Sequence, residues 1–212
     1  MFPSPVFHDI PQNTDEWMAL RASRITSSAL SKVMANLGKA FGDPAKKYAV
    51  DIAVAQLTGR QPKSGYSNDH MERGHEEEPL ARMAYEEQHF CKVSNGGFFA
   101  IGDDLGCSPD GLLGLDGVIE IKSAIPSIHY ERIRKNTFDS AYKWQLIGNM
   151  VLPKRDWIDF VSYCSDFPLD SQLFTVRLHV EDYQEEAKMI AERLAEFRAL
   201  IDQIKTDIRA AA

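Results

Sequence analysis

An α/β fold, with a mixed central β-sheet flanked by helices, is the class this sequence predicts, and three patterns carry the prediction. Residues 118–123 alternate apolar and polar behind the turn-like run Gly114-Leu115-Asp116-Gly117, the mark of a half-buried hairpin strand. Two strand-like runs follow at 157–164 and 173–180, the second with Phe174, Val176, Leu178 and Val180 on one face. A closing amphipathic helix carries Ile190, Leu194, Phe197, Ile201, Ile204 and Ile208 at spacings of four and three. That stripe is expected to cover the sheet, a subunit contact being its other possible use.

The remaining elements follow in chain order. Residues 15–22 and 27–35 read as short helices, the second with Thr26 and Ser27 as capping hydroxyls. A helix over 45–58 stops at Gly59, and one over 70–88 is interrupted or bent at Pro79 if that proline lies beyond the first turn. Residues 92–101 are broken by Gly96-Gly97 and read as a hairpin or a bulged strand. Residues 142–152 look helical. There is no internal repeat and no low-complexity tract.

A chain of 212 residues, 44% hydrophobic and 26% charged, is long enough and apolar enough for a single globular domain over 1–212 with a sizeable core. It has no run of about eighteen apolar residues, and Met1-Phe2-Pro3-Ser4-Pro5 lacks a secretory pattern, so a cytoplasmic protein with no membrane contact is expected. Cys91, Cys107 and Cys164 are scattered, which speaks for reduced, mostly buried thiols rather than a zinc or iron–sulfur site. The net charge of -7 argues against a surface coated by nucleic acid. Local binding remains open, because residues 17–47 and 120–155 lean basic while acid gathers at 69–87 and in the last helix. A basic surface interrupted by an acidic cluster suits a metal site inside a phosphate-binding groove; ordinary solvated helix faces would give the same pattern.

The chemistry concentrates in Ser108-Pro109-Asp110-Gly111-Leu112 and Val118-Ile119-Glu120-Ile121-Lys122. On a strand, Glu120 and Lys122 share one face while Ile119 and Ile121 take the other. The hairpin folds Asp110 back beside Glu120, pairing two carboxylates next to an ammonium at a hairpin end expected to be polar and open. With a backbone carbonyl, such carboxylates are hard oxygen ligands for Mg²⁺. Lys122 can then orient or deprotonate the attacking water, or neutralise charge in the transition state, and the set performs phosphodiester hydrolysis. Asp-x(9)-Glu-x-Lys also arises by chance, and a salt-bridged surface hairpin is the alternative.

Upstream, Glu76, Glu77 and Glu78 fan around a helix by about 100° each, so one or two can reach a single site. Glu78 is the choice, against a merely solvated acidic face. Gln145, on the helix after the Lys122 strand, can bond a phosphate or the attacking water, or be a plain surface glutamine.

Taken together these residues resemble the lambda-exonuclease-like, or YqaJ-type, viral recombinases of the PD-(D/E)xK nuclease superfamily, over about residues 15–166. The likeness lies in order and spacing: Glu16-Trp17-x-x-Leu20-Arg21, Ile25-Thr26-Ser27-Ser28, Gly74-x-x-x-Glu78, Cys107-Ser108-Pro109-Asp110-Gly111-Leu112, Glu120-Ile121-Lys122 and Gln145. The resemblance implies a restriction-endonuclease-like fold and a Mg²⁺-dependent 5′→3′ exonuclease, with Mn²⁺ as a possible substitute. Its substrate would be linear double-stranded DNA with 5′-phosphorylated ends, leaving 3′ single strands for recombination by annealing. Asp110, Glu120 and the Ile121 carbonyl would hold the metal, Glu78 would assist, Lys122 would act on the water, and Gln145 would place the water or the phosphate. Arg21, Ser28 and Ser108 correspond to positions that hold the terminal 5′ phosphate. Met71 corresponds to an apolar wedge between base pairs, although a methionine at helical spacing also suits a core. The family's DNA-contacting glycine loop is shortened here to about 38–43, so its contacts do not carry over. A ring-shaped homotrimer and a partner single-strand annealing protein are implied as well.

Three alternatives have distinct marks. An endonuclease of the same superfamily, restriction-type or junction-resolving, would share the metal site but needs no end-binding Arg21 and Ser28. An inactive DNA-binding module would have lost one of the acids or the lysine, and all are present. A glycosidase would not need a lysine beside its carboxylates.

Overall fold

The computed structural model describes residues 2–60 and 69–211. Thr14 caps the first helix, α1 (Asp15–Arg21): its hydroxyl accepts from the Trp17 N–H at 3.3 Å, and acids in the first turn with Arg21 in the last complement the helix dipole. The strand β1 (Pro5–His8) precedes it and β2 (Ile25–Thr26) follows. One 3₁₀ turn then leads into α2 (Leu30–Met34). The expected capping there is not made. Thr26 pairs locally with Ser28, and Ser27 donates across the fold to Asn149, so neither hydroxyl caps the helix. Pro44 opens α3 (Asp43–Thr58), and Gly59, left-handed at φ 67°, closes it as expected.

The next helix, α4 (Asp69–His89), is not interrupted at Pro79. Ala81 and Tyr85, beyond the proline, are packed against Ile119, Ile121 and Val161, and that burial holds the helical path where one backbone bond is missing. The strands β3 (Ser94–Asn95), β4 (Phe98–Ile101), β5 (Leu105–Cys107), β6 (Gly111–Leu113) and β7 (Gly117–Ser123) come next. Then follow α5 (Pro126–Lys135), α6 (Lys143–Val151), β8 (Trp157–Tyr163), β9 (Leu173–His179) and α7 (Gln184–Ala210).

The strands form two mixed sheets, in the orders β1-β4-β5-β2 and β3-β6-β7-β8-β9. The α/β class and the mixed sheet with flanking helices stand, and the smaller sheet adds to them. Gly96-Gly97 does not make a hairpin, because β3 belongs to the larger sheet and β4 to the smaller. The two glycines carry the chain between sheets, Gly97 at φ 55°, and a Cβ on Gly96 would stand 1.8 Å from the Pro109 carbonyl oxygen.

Alternation along β7 divides the core. Val118 joins Phe160, Leu178 and residues of α6 and α7 in the main cluster, while Ile119 and Ile121 join Tyr85 of α4 on the other face. β7 runs parallel to β8 with Glu120 beside Phe160, the crossover being α5 and α6. The stripe of α7 is buried at Ile190, Leu194, Phe197 and Ile201. It packs mainly on α3, with α2 and α6, rather than on the sheet, because those helices intervene. Ile208 at its end is exposed. Cys107 and Cys164 are buried, Cys91 is half-buried, and all three are free thiols. Among the described residues no helix is long and apolar enough to cross a membrane.

Candidate active site

The hairpin of β6 and β7 brings the sequence-predicted acids together. Asp110 precedes β6; its N–H donates to the Ile119 carbonyl at 3.0 Å and its Oδ2 accepts from the Ile121 N–H at 2.6 Å. Two main-chain bonds thus hold the carboxylate on β7. The preceding Pro109 is held too, since its carbonyl accepts from Gln12 Nε2 at 3.0 Å while Gly96 passes against it.

Glu120 is 1% exposed, so the expected open hairpin end is not what the fold provides. Its Oε1 accepts from Lys122 Nζ at 2.5 Å and from Gln145 Nε2, and its Oε2 accepts from Asn149 Nδ2 at 2.7 Å. Gln145 and Asn149 are four residues apart on α6 and therefore share a face. Asn149 in turn accepts from Ser27 Oγ at 2.5 Å. Gly148 lets α6 approach this closely: a Cβ there would meet a Leu30 methyl at 2.5 Å. Gln145 is thus no free surface residue. Asn149 escaped sequence reasoning, although its spacing from Gln145 was the available signal.

Of the acidic run, Glu77 is buried and accepts from the hydroxyls of Ser123 and Ser165, whereas Glu78 lies 3.7 Å from Arg82 and lines the same cavity as Asp110. Arg82 also donates to the Asp110 carbonyl. That cavity, about 470 Å³, is further lined by Ile121, Lys122, Arg132 and Tyr142. Lys122 Nζ stands 5.3 Å from the Tyr142 ring centroid. Met71 lies on α4, but its side chain is outside the described residues.

Burial and mutual repulsion dominate the electrostatics. Burial first, then the charge of Asp110, pushes Glu120 up to about 7 against the opposing pull of Lys122. Burial raises Asp110 against Lys122 and the Ile121 N–H, and burial with the Asp110 charge raises Glu78. Burial alone would lower Lys122, but Glu120 and Asp110 lift it above its ordinary range. A buried Glu120 and a partly buried Glu78, both raised further by the charge of Asp110, want more positive charge, which fits a hard divalent cation. Among the described residues no three His, Cys, Asp or Glu side chains form a ready cage. A cation here would rest on Asp110, Glu120, the Ile121 carbonyl and water, the kind of sparse ligand set that Mg²⁺ accepts.

This electrostatic arrangement has a measurable consequence. An acid raised from 4.5 to about 7 holds its proton more tightly in the folded state, so its contribution to stability is complete below about pH 4.5 and is lost as pH rises to about 7. In EDTA the melting temperature should therefore fall by several degrees between about pH 5 and 8. Glu120→Gln should flatten that slope by Glu120's share, Asp110 and Glu78 supplying the rest, and an unchanged slope would show that Glu120 is ionised throughout.

A second cavity, of about 290 Å³, is lined by Arg21, Arg24, Thr26, Ser28, Lys32 and Tyr48, among other residues. Arg21 Nη2 donates to Ser28 Oγ at 2.8 Å, its guanidinium lies 4.8 Å over Trp17, and burial lowers its pKa. The fold therefore unites Arg21 with Ser28. Ser108 is not among the residues lining this cavity; its hydroxyl accepts from Trp17 Nε1 at 2.9 Å and donates to the Gly97 carbonyl. Ser108 thus braces Trp17, whose ring lies under Arg21.

The YqaJ-like viral recombinase domain matches residues 16–155. Among solved structures, an alkaline exonuclease from Laribacter hongkongensis is 32% identical, with a TM-score of 0.78 over 94% of this chain and 100% of its own. Its complex with dAMP gives the same values. A phage related exonuclease from Haemophilus somnus 129PT, 17% identical with a TM-score of 0.69 over 87% of this chain and 96% of its own, shares the fold. No curated protein matches the sequence. With the Asp110–Glu120–Lys122 hairpin in place within the matched span, the chain belongs to the YqaJ-like viral recombinase domain family of nucleases.

Proposed function

We propose that the protein is a Mg²⁺-dependent 5′→3′ exonuclease acting on linear double-stranded DNA, and the observation that carries this is the juxtaposition of Asp110 and Lys122 at the wall of one cavity with Glu120 buried behind them and hydrogen-bonded to Lys122. Mg²⁺, when bound, would draw charge from the scissile phosphate and acidify a water. The chain's own residues do the rest. Asp110 and Glu120, with the Ile121 carbonyl, hold the cation; Lys122, which donates to Glu120 and lines the cavity, donates to the attacking water or to a phosphate oxygen. Gln145 and Asn149 keep Glu120 in its rotamer, and Glu78 adds negative charge on the Asp110 side. Mn²⁺ is expected to substitute.

End recognition is assigned to Arg21 and Ser28, with Ser108 hydrogen-bonded to Trp17 beside them, which favours an exonuclease over an endonuclease of the same superfamily. The dAMP held by the Laribacter enzyme, a 5′ nucleoside monophosphate, is the class of product such a reaction releases. The resemblance extends the proposal to a homotrimeric ring around DNA and to a single-strand annealing protein that takes up the 3′ strand.

Linear and covalently closed plasmid separate the two nuclease readings. With Mg²⁺ the linear duplex should disappear while closed circles persist, and EDTA should stop the reaction. Nicked or linearised circles would identify an endonuclease.

A further inference from the structure

The helix α5 contributes a cation to the active-site cavity that the metal and end-binding groups leave unused. Arg132 is 6% exposed and lines that cavity. Its Nη1 donates to Ser162 Oγ at 2.9 Å, Ser162 Oγ lies 2.8 Å from His129 Nδ1, and His129 Nε2 lies 2.9 Å from the Ser171 carbonyl. A carbonyl only accepts, so Nε2 carries the proton, Nδ1 accepts from the Ser162 hydroxyl, and the hydroxyl oxygen accepts from Arg132. The chain of donors orients the guanidinium, and the rings of Phe160 and Tyr142, 5.3 and 5.6 Å from Cζ, hold it from the sides.

Nε remains. It is buried and finds no hydrogen-bond partner among the described residues. An unpaired charged donor out of water is costly, and the guanidinium keeps donor capacity for a ligand at the cavity that Arg132 lines. Lys122 stands 5.3 Å from the centroid of the same Tyr142 ring, so both cations lie against one ring and line one cavity. Ile125 and Ile128, both partly exposed, line the cavity beside Arg132 and offer aliphatic surface to a sugar or base. Ile128 and Arg132 also line an adjoining cavity of about 440 Å³, which extends the path away from Asp110.

We infer that Arg132, Ile125 and Ile128 form a subsite for the nucleotide next to the scissile phosphate, the guanidinium taking its phosphate and the isoleucines its sugar or base. This subsite rests on the nuclease reading above.

The test is binding of short 5′-phosphorylated duplexes in EDTA, each carrying one neutral methylphosphonate at a successive position near the end. Wild type should lose about tenfold in affinity at one position, the strength of one charge-assisted contact. Arg132→Gln should lose about tenfold on unmodified DNA, lose nothing further from that methylphosphonate, and show a salt slope lower by about one. Ile128→Glu leaves the Arg132 contacts in place and should weaken binding about tenfold at unchanged melting temperature. It keeps the subsite testable if Arg132→Gln does not fold. Two outcomes overturn the subsite. If Arg132→Gln keeps the wild-type salt slope and each methylphosphonate weakens both proteins equally, while wild type still degrades linear duplex, the subsite falls and the nuclease stands. If wild type binds no duplex end, both fall.

Discussion

Replacing Asp110 by Asn or Lys122 by Ala is expected to lower hydrolysis of linear duplex by at least about 10³-fold, the scale seen when a group that stabilises developing charge is removed. Asp110→Asn keeps the shape of the side chain and an oxygen for the Ile121 N–H, but removes the charge that would hold a cation. Lys122→Ala removes the only amine hydrogen-bonded to Glu120 among the described residues. Lys122 is half-buried, so its loss should move the melting temperature by no more than a few degrees. Glu120 behaves differently. It is buried under Gln145 and Asn149, and Glu120→Ala would leave two amides without an acceptor, costing about 1–3 kcal/mol for each such group. Activity lost in Glu120→Ala would thus be partly lost fold, and Glu120→Gln is the informative substitution. Rates on an end-labelled duplex, read beside thermal melts, check all three. If Lys122→Ala kept most of the activity, the attacking water would have to be oriented from elsewhere.

Removal of the 5′ phosphate from the substrate is expected to slow the enzyme at least about tenfold, and Arg21→Ala should erase most of that difference while sparing the metal site. A terminal phosphate carries more charge than an internal diester and has more acceptor oxygens, and a guanidinium offers a planar pair of donors to them. The surroundings of Arg21 suit such a contact: Ser28 holds one nitrogen, Trp17 lies under the guanidinium, and Arg24 and Lys32 line the same cavity. Each charge-assisted bond contributes about 1.5–3 kcal/mol, so a single one suffices for the expected factor. Ser108→Ala should act more weakly, through the loosened Trp17 indole. The measurement compares 5′-phosphoryl and 5′-hydroxyl duplexes labelled at either terminus. Equal rates on the two ends, or shortening from the 3′ side, would remove the end pocket and the polarity assigned to it.

How far the sequence could be read depended on whether the deciding contacts were local. Alternation at 118–123 and the glycine turn before it were enough to pair Asp110 with Glu120, because a hairpin register follows from strand period and turn length. Gly59 ended α3 for an equally local reason, the left-handed residue a helix terminus requires. The helix α5 went unread: Ile128 and Ile133 on it and Ile125 at its cap are exposed, and its buried residues are His129 and Arg132, the reverse of the pattern that announces a helix. Gly96-Gly97 misled because a break in a strand looks the same whether the chain turns back or crosses to another sheet.

By itself the sequence determined the α/β class, the order of the main helices and strands, and the hairpin that unites Asp110, Glu120 and Lys122, since each rests on periodicity or on residues close in the chain. Only the tertiary structure decided that Glu120 is buried under Gln145 and Asn149, that Ser108 braces Trp17, that α7 lies on α3, and that Arg132 lines the active-site cavity. These contacts join residues far apart in the chain. They depend on how closely whole elements approach, such as α6 over the bare Cα of Gly148, and no local pattern encodes that distance.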